Sequence, residues 1–331
     1  MFELKRYSKN PILTPLKEHP WESKMVFNCA AALKDDRVHL IYRARGEDKN
    51  DALPISRLGY AIFREDGVTL EKRRDSPVYE PKEPYEQAGC EDPRITYIDG
   101  RYYMLYTAYS GHKIPPEPLL PEEKTNIAMA STENFINWKR HGILLKSVSK
   151  AEKNGVLFPK KFGGNYVVYY RVKPDIYVAY SKSLENSDWF GHKVIASPRK
   201  NCWDACKIGA GGPPIETERG WLFIYHGIDK EGSKKIKTGY GDIDYERTYR
   251  LGVMLIDKDN PEKIIYRSSG WILEPKEIYE KEGMIPNVVF TCGAVVIKGT
   301  LFVYYGAADT VIGVAYCRLS ELIEIIGKRG I

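Results

Sequence analysis

Long apolar runs, clustered cysteines and helical periodicity are all scarce in this sequence of 331 residues. It contains no apolar run of the roughly 18 residues that a membrane-spanning helix needs. The first residues, MFELKRYSKNPILTP, lack the apolar core of a secretory signal, which predicts a cytoplasmic protein whose six scattered cysteines stay reduced. Neither a CxxC pair nor an HExxH motif occurs, so no zinc site is expected.

A concentration of charge of one sign is missing as well. The 50 Lys and Arg residues and the 44 Asp and Glu residues are interspersed, and the net charge is +6. Because no basic block carries the interleaved aromatic residues typical of a nucleic-acid footprint, neither nucleic acid nor a membrane is predicted as a partner. The small positive excess is compatible with an anionic small-molecule substrate.

Tyrosine, by contrast, is abundant, with 24 residues, and it marks a strand-like pattern that recurs five times. Each copy carries tyrosine at its fifth position: VHLIYR (38–43), YYMLYT (102–107), YVVYYR (166–171), WLFIYH (221–226) and TLFVYY (300–305). A turn precedes each copy, as at Asp99-Gly100, and another strand precedes the turn. These first strands are predicted at FNCAAAL, EDPRITYI, VLFPKKF, GGPPIE and FTCGAVVI, and irregular fourth strands at FINWKRHGILL and SSGWILEP.

Five units of about four strands each predict an all-β fold, a five-bladed β-propeller. A two-sheet sandwich whose strands resemble one another by chance is the alternative. Only SELIEIIGKR near the C-terminus has a helical pattern. We interpret residues 1–331 as a single five-bladed propeller domain with a short C-terminal helix, in which 46–57, 111–124 and 229–248 are loops.

Equivalent positions of the five units carry polar side chains that a propeller would bring to one funnel, because its innermost strands ring a central axis. Directly after the five tyrosines come Arg43, Thr107, Arg171, His226 and Tyr305. The strand-entry segments and the end of the fifth copy add Asn28, Asp92, Asn154, Lys207 and Asp309. Each residue alone is compatible with a solvated or core position, but together they predict a site for an anionic or polyhydroxyl ligand.

Four segments resemble motifs of a known family: GCEDPRIT (89–96), NGVLFPKK (154–161), KIGAGGPPIE (207–216) with WLFIYHG after it, and YYGAADT (304–310). They are similar, in the same order, to glycoside hydrolase family 130, the inverting β-mannoside phosphorylases, from about residue 6 to the C-terminus. The resemblance implies a five-bladed propeller and a glycosyltransferase-type phosphorylase that acts on β-mannosides inside the cell. The GCEDPRIT form favours the manno-oligosaccharide phosphorylase branch.

The resemblance implies that Asp92 is the single general acid and protonates the leaving glycosidic oxygen through the 3-hydroxyl of the mannosyl unit. An ordinary inverting glycosidase needs a second carboxylate to activate water. A phosphorylase does not, because inorganic phosphate is an anionic nucleophile that needs a cationic cradle to hold and aim it. This role would explain why Glu91-Asp92-Pro93-Arg94, a cluster unsuited to the middle of a sheet, opens a predicted hairpin.

The phosphate cradle of the family maps onto five positions of this sequence: Lys153, Asn154, Arg171, Lys207 and His226. Many relatives carry arginine where this chain has Lys153, and lysine keeps the charge but loses the bidentate fork. The implied substrate-binding residues are Asn28, Arg43, Arg94 and Asp309. Of these, Arg94 would either contact the sugar or hold the Asp92 segment in place.

Two alternative functions stay open at this point. An inverting β-mannosidase on the same scaffold would release free mannose, although the basic residues of the cradle favour phosphate. A carbohydrate-binding propeller without catalysis would have no reason to place a carboxylic acid opposite a cationic cluster. Neither a metal nor an organic cofactor is expected, with inorganic phosphate as the co-substrate. The sequence leaves open the linkage (β-1,4 or β-1,2), the acceptor sugar and the oligomeric state, a homo-oligomer included.

Overall fold

The computed structural model describes residues 2–47, 55–110, 125–146, 148, 153–185, 188–230, 235–238, 241–244 and 247–329. Five of its six antiparallel sheets have the arrangement of a five-bladed β-propeller, which confirms the predicted fold class, and the sixth is a two-stranded hairpin. None of the helices in these ranges is long and apolar enough to cross a membrane.

The first three blades contain four strands each. The chain begins with the short strand β1 (Lys5–Arg6), and blade one then contains β2 (Met25–Lys34), β3 (Arg37–Arg45), β4 (Arg57–Phe63) and β5 (Leu70–Arg73). Blade two contains β6 (Gly89–Ile98), β7 (Arg101–Tyr109), β8 (Thr125–Thr132) and β9 (Lys139–Ile143). Blade three contains β10 (Lys153–Leu157), β11 (Tyr166–Val172), β12 (Asp175–Ser181) and β13 (Phe190–Ala196).

Blades four and five carry additions to this plan. Blade four contains β14 (Lys207–Ala210), β15 (Ile215–Thr217) and β16 (Gly220–Ile228), then the separate hairpin of β17 (Lys235–Thr238) and β18 (Gly241–Asp244), then β19 (Tyr249–Ile256) and β20 (Ile264–Arg267). Blade five follows helix α1 (Ile278–Lys281) and contains β21 (Val289–Ile297), β22 (Thr300–Ala307) and β23 (Val311–Arg318), before helix α2 (Leu319–Arg329). Strand β1 pairs with β23, so the N-terminal strand completes the last blade.

The hydrophobic core lies between neighbouring blades rather than at the axis. Each of five apolar clusters draws on two adjacent blades, and one of them joins blade five to blade one, where Tyr304 packs in the same cluster as Cys29. Because every blade buries both of its faces, its middle strands are apolar on successive residues, as in β16, which is buried along its whole length. This packing closes the ring and fixes the innermost strands around the axis.

The tyrosine-bearing repeats form the second strand of every blade, as predicted: β3, β7, β11, β16 and β22. The predicted turns before them adopt left-handed backbone conformations, with φ of 51° at Asp99 and 78° at Gly100 in blade two. In blade five the tyrosine equivalent to Tyr42 is Tyr305, one residue later than the predicted Tyr304. Tyr305 pairs with Gly313 on the next strand, as Tyr42 pairs with Gly59 in blade one.

Two predicted strands are wrong. The segment GGPPIE was predicted as the first strand of blade four, but β14 ends at Ala210 and β15 starts at Ile215. Pro213 and Pro214 lie in the gap because proline has no amide hydrogen for the ladder. The segment SSGWILEP was predicted as a fourth strand, but β20 precedes it and supplies that edge.

A buried carboxylate precedes the innermost strand of four blades: Glu22, Glu86, Asp204 and Glu280. Each accepts a hydrogen bond from a tyrosine of the second strand, namely Tyr42, Tyr106, Tyr225 and Tyr305. Each also accepts one from an arginine of the outermost strand, namely Arg73, Arg140, Arg267 and Arg6. This contact ties the inner and outer edges of a blade together, so it fixes the segment that leads into the site.

Replacing Glu280 with glutamine is expected to destabilise the protein by about 2–3 kcal/mol, since a charged acceptor is lost where several donors stay buried. Glu280 accepts hydrogen bonds from Tyr305 Oη at 2.8 Å, from Arg6 Nε at 2.8 Å and from the backbone N–H of Lys276 at 2.7 Å. Chemical denaturation measures the loss. The control is Glu3→Gln, which removes the more exposed partner of Arg6 and should cost about 1 kcal/mol or less. Equal losses would contradict the structural role.

Candidate active site

The centre of the site is formed at β-bulges, which occur at equivalent positions of three innermost strands. The pairing register shifts around Asn28 in β2, around Asp92 in β6 and around Asn154 in β10. All three residues have left-handed backbone conformations, with φ of 45°, 50° and 57°. A bulge re-aims a side chain relative to the regular alternation of a strand. Side chains from separate blades therefore meet near the axis.

Asp92 is the buried carboxylate at this meeting point. Asn28 Nδ2 donates to Asp92 Oδ1 at 2.9 Å, and Arg43 Nη1 donates to the same oxygen at 3.1 Å. Burial raises the pKa of Asp92, but the positive charges of Arg43 and Arg94 and the hydrogen bond from Asn28 outweigh it, so the pKa lies below its ordinary value. Without an anionic ligand, Asp92 is thus ionised at neutral pH.

Glu91, the neighbouring carboxylate, lies among cations. Arg43 Nη2 donates to Glu91 Oε1, and Arg45 Nη2 lies 3.6 Å from the same oxygen. Lys153 Nζ lies 3.8 Å from Glu91 Oε2. Glu91 therefore links the arginine that contacts Asp92 to the lysine that the sequence predicts for the phosphate cradle.

Arg94 is 1% exposed and is surrounded by backbone carbonyls. Its Nη1 donates to Asp92 O at 2.8 Å, its Nε to Gly211 O at 2.7 Å and its Nη2 to Ala210 O at 3.1 Å. The side chain thus joins the bulge of blade two to the end of β14 in blade four. Each of its three nitrogens has a backbone partner.

The cradle positions on blades three and four also converge. Lys207 is 7% exposed; burial lowers its pKa, and the charges of Arg171 and Arg247 lower it further. His226 is fully buried, and burial together with Arg171 lowers its pKa well below 6.5, so the imidazole is neutral. Within the described ranges, neither ring nitrogen of His226 has a hydrogen-bond partner, and neither does Asn154 Oδ1.

Gly209 leaves room between two of these groups. A Cβ at this position would lie 2.5 Å from His226 Nε2 and 2.7 Å from Asn154 Oδ1. Any side chain would therefore collide with both groups. The strand β14 needs glycine here so that the imidazole and the amide can face the same small space.

Asp309 is a half-buried carboxyl group near the same centre. It follows β22, has a left-handed backbone with φ of 51°, and interacts electrostatically with Arg43 and Asp92. Burial raises the pKa of Asp309 to about 6, with Arg43 opposing the rise and the negative charge of Asp92 adding to it. The two carboxyl groups therefore have pKa values on opposite sides of their ordinary value.

The predicted residues thus fall into two connected groups. Asn28, Arg43 and Asp92 are in direct contact, and Lys153 joins them through Glu91. The residues grouped around the cradle of blades three and four are Asn154, Arg171, Lys207 and His226.

Three residues that the sequence analysis did not single out lie in the same region: Arg45, Arg247 and Tyr249. Arg45 could have been predicted as a site residue, because it follows Arg43 by two residues and therefore lies on the same face of the strand. Arg247 lies within the 229–248 segment that was interpreted only as a loop, and Tyr249 directly follows that segment. They occupy no position that repeats between blades, so the repeat gave no signal for them.

Comparison with known proteins identifies the family of this chain. Residues 3–328 match the family 130 model, described as beta-1,4-mannooligosaccharide phosphorylase. The chain belongs to glycoside hydrolase family 130. This family 130 chain is 42% identical over 324 residues to a 1,2-beta-oligomannan phosphorylase of Thermoanaerobacter sp. (strain X514), an alignment that covers 97% of this chain and 99% of the relative.

A second relative is a beta-1,2-mannobiose phosphorylase of the same Thermoanaerobacter strain. It is 43% identical to this family 130 chain over 323 residues, and the alignment covers 95% of this chain and 97% of the relative. Among solved structures, the beta-1,2-mannobiose phosphorylase of Listeria innocua, in complex with beta-1,2-mannobiose, superimposes with a TM-score of 0.80. That likeness covers 98% of this chain and 99% of the other at 24% identity, and it shows the shared propeller fold.

Proposed function

We propose that this protein cleaves β-1,2-linked manno-oligosaccharides with inorganic phosphate, with inversion, and releases α-D-mannose 1-phosphate. The broader prediction, phosphorolysis of β-mannosides by an enzyme of the phosphorylase kind, is confirmed by the family and its phosphorylase relatives. The β-1,2 linkage is supported by two relatives at 42% and 43% identity, both named for β-1,2-mannosides. An enzyme that transfers a mannosyl group to phosphate falls among the glycosyltransferases, and its charged product would be retained in the cytoplasm.

The observation that carries the proposal is the cationic cluster beside Asp92. Arg171 and Lys207 lie close enough to depress the pKa of His226, and Lys153 approaches from the side of Glu91. A phosphate dianion would offset these charges and accept hydrogen bonds from the donors. Water, the nucleophile of a mannosidase, gains nothing from several cations and instead needs a base. The cluster therefore favours phosphorolysis over hydrolysis.

In the proposed reaction, Asp92 supplies the proton and phosphate supplies the new bond. Asn28 and Arg43 both occupy Oδ1, so we assign the transferable proton to Oδ2. This proton passes to the 3-hydroxyl of the mannosyl unit, whose own proton passes to the leaving glycosidic oxygen. A phosphate oxygen attacks the anomeric carbon from the opposite face as the glycosidic bond breaks, which inverts the configuration.

Bound phosphate also prepares the acid. The pKa of Asp92 is low because cations outweigh burial, and a dianion beside Lys153 and Arg171 would cancel part of that positive field. The pKa of Asp92 should then rise, so that the carboxyl group can hold a proton only when the nucleophile is in place. This coupling would limit proton transfer to the ternary complex.

The remaining predicted residues receive distinct roles. We assign Asn28, Arg43 and Asp309 to the mannosyl pocket, since they surround Asp92 at hydrogen-bonding or electrostatic range. We assign Arg94 to positioning, because its nitrogens donate to backbone carbonyls of blades two and four.

The proposal is tested by running the reaction backwards. The protein is incubated with α-D-mannose 1-phosphate and mannose, glucose or N-acetylglucosamine, with reactions lacking an acceptor as the control. We expect phosphate release with mannose and a product whose β-1,2 linkage is identified by NMR. A β-1,4 product would contradict the linkage. Phosphate release equal to the acceptor-free control, together with conversion of mannobiose to free mannose, would identify a hydrolase.

A further inference from the structure

Ser56 is a fully buried residue that packs against the chain leading into the acid. It directly precedes β4, in a segment that the sequence predicts as a loop, and it pairs with Gly89 of β6 in a parallel bridge. The backbone N–H of Cys90 donates to Ser56 O at 2.9 Å. Gly89 has a φ of 140°, and a Cβ on it would lie 2.8 Å from Ser56 Cβ. Ser56 therefore contacts the two residues that precede Glu91 and Asp92.

The hydroxyl oxygen of Ser56 accepts hydrogen bonds from two arginines of β3. Arg43 Nε donates to Ser56 Oγ at 2.9 Å, and Arg45 Nε donates to the same oxygen at 2.8 Å. A hydroxyl oxygen has two lone pairs, so these two donors fill its acceptor capacity. Because the two guanidinium groups carry like charges, they repel each other, and the shared oxygen holds both of them at one point.

This hydrogen bond completes the contacts that orient Arg43. Its Nε donates to Ser56 Oγ, its Nη1 to Asp92 Oδ1 and its Nη2 to Glu91 Oε1. A guanidinium group is planar, so partners on all three nitrogens define both its position and its plane. Without the partner of Nε, the group would be held only at its two outer nitrogens and could rotate away from Asp92.

We propose that Ser56 is a positioning residue for the general acid, whose hydroxyl oxygen holds Arg43 in the orientation that contacts Asp92 and keeps Arg45 beside Glu91. This inference rests on the proposed function, because it concerns the acid of that reaction. Ser56 is fully buried and acts through Arg43 rather than on the substrate. It lies outside the repeated strand positions, so the repeat gave no signal for it.

The effect of Ser56 should be visible in the proton affinity of Asp92. The charged and titratable groups around Asp92 are Arg43 on β3, Arg94 and Glu91 on β6, Lys153 on β10, the Cys292 thiol on β21 and Asp309 after β22. Burial raises the pKa of Asp92, and Arg43 is the largest of the influences that lower it. A less well oriented Arg43 should let that pKa rise, so the acid should stay protonated to higher pH.

The kinetic test is Ser56→Ala, which removes one oxygen and keeps the backbone contacts with Gly89 and Cys90. We expect kcat to fall about tenfold, because a small displacement of the acid slows proton transfer, while KM for phosphate stays within about threefold. The fall of kcat/KM for phosphate with rising pH should move to higher pH. A kcat within about twofold of the wild-type value, or a fall in kcat without the shift in pH dependence, would overturn the proposal.

The matched control is Ser131→Ala, which removes the hydroxyl of another buried serine. Ser131 lies on β8, the third strand of blade two, and its Oγ is 2.8 Å from His141 Nε2. This variant should leave kcat, KM for phosphate and the pH dependence unchanged. Equal effects of the two substitutions would show only a general loss of packing and would contradict the positioning role.

A double-mutant cycle shows whether Ser56 acts through Arg43. Arg43→Lys keeps a positive charge but lacks the Nε–H that Ser56 accepts. In that background, adding Ser56→Ala should lower kcat by less than about twofold, because the contact is already lost. A further tenfold loss there would mean that the hydroxyl acts by another route, which would overturn the proposal.

Product analysis separates this inference from the proposed function. If the wild-type protein releases free mannose instead of mannose 1-phosphate, phosphorolysis fails, while a tenfold loss of cleavage rate in Ser56→Ala that disappears in the Arg43→Lys background still supports the positioning role. If the wild-type protein forms mannose 1-phosphate and Ser56→Ala retains its kcat, the reaction stands and the role of Ser56 is overturned.

Discussion

Replacing Asp92 with asparagine is expected to lower kcat for mannoside phosphorolysis by about 10²–10⁴, the usual contribution of a positioned general acid. Asparagine has nearly the same shape and can still accept hydrogen bonds from Asn28 and Arg43 at its side-chain oxygen. It cannot release a proton to the mannosyl 3-hydroxyl. The fold and the affinity for phosphate should therefore change little, while the leaving oxygen departs unprotonated.

The measurement is kcat for the β-mannobiose that the wild-type protein cleaves, together with phosphate affinity measured by calorimetry. Asp99→Asn is the matched control, because Asp99 lies in the turn at the other end of β6 and bonds Tyr166 and Lys161 instead. An aryl mannoside with a good leaving group needs little protonation, so it should recover part of the lost rate. A near-normal kcat in Asp92→Asn would contradict the role of Asp92 as the general acid.

The acid should also be visible in the pH dependence. The pKa of Asp92 is depressed in the free protein by Arg43 and Arg94, and the reaction needs the protonated form, so the rate should fall as pH rises through the pKa. Because phosphate offsets the cations, the pKa seen in kcat should lie above the pKa seen in kcat/KM for phosphate, which reports the enzyme before phosphate binds. Asp92→Asn should lose this fall of kcat at high pH.

The sequence contained the plan of the blades because each one repeats a tyrosine-bearing strand after a tight turn. Asp99-Gly100 illustrates this, since both residues adopt the left-handed conformation that the sequence pattern predicts. The convergence of Arg43 on Asp92 also followed from the repeat, because equivalent strand ends must meet around one axis. The sequence therefore predicts those features of the fold and site that recur at the same position in each blade.

The bulges could not be predicted in this way. Alternation along β6 gives no sign that Asp92 has positive φ, because a bulge inserts a residue without changing the composition of the strand. The buried carboxylates did leave a signal that was missed: an aromatic residue directly before the acid, as in Trp21-Glu22 and Tyr279-Glu280. It recurs at the blade entrances, outside the strands on which the repeat was defined.

Arg94→Lys is expected to destabilise the protein by about 2–5 kcal/mol and to lower kcat by about 10²-fold. Lysine keeps the charge but cannot reproduce the guanidinium fork, so up to two of the three carbonyls, those of Asp92, Ala210 and Gly211, would stay buried without a donor. The bulge at Asp92 would then lose its link to blade four. A displacement of the acid by about 1 Å is enough for a rate loss of this size.

The division of this loss between kcat and KM separates the two roles that the sequence left open for Arg94. A positioning residue misplaces the acid, so kcat should fall while KM for the mannoside stays within about threefold. A residue that contacts the sugar in the ground state would raise KM instead. Denaturation curves supply the stability readout, and Arg101→Lys, which breaks only an exposed pair with Glu133, is the control and should change neither quantity measurably. Because Arg94 is buried and its three nitrogens donate to backbone carbonyls, we expect the first pattern.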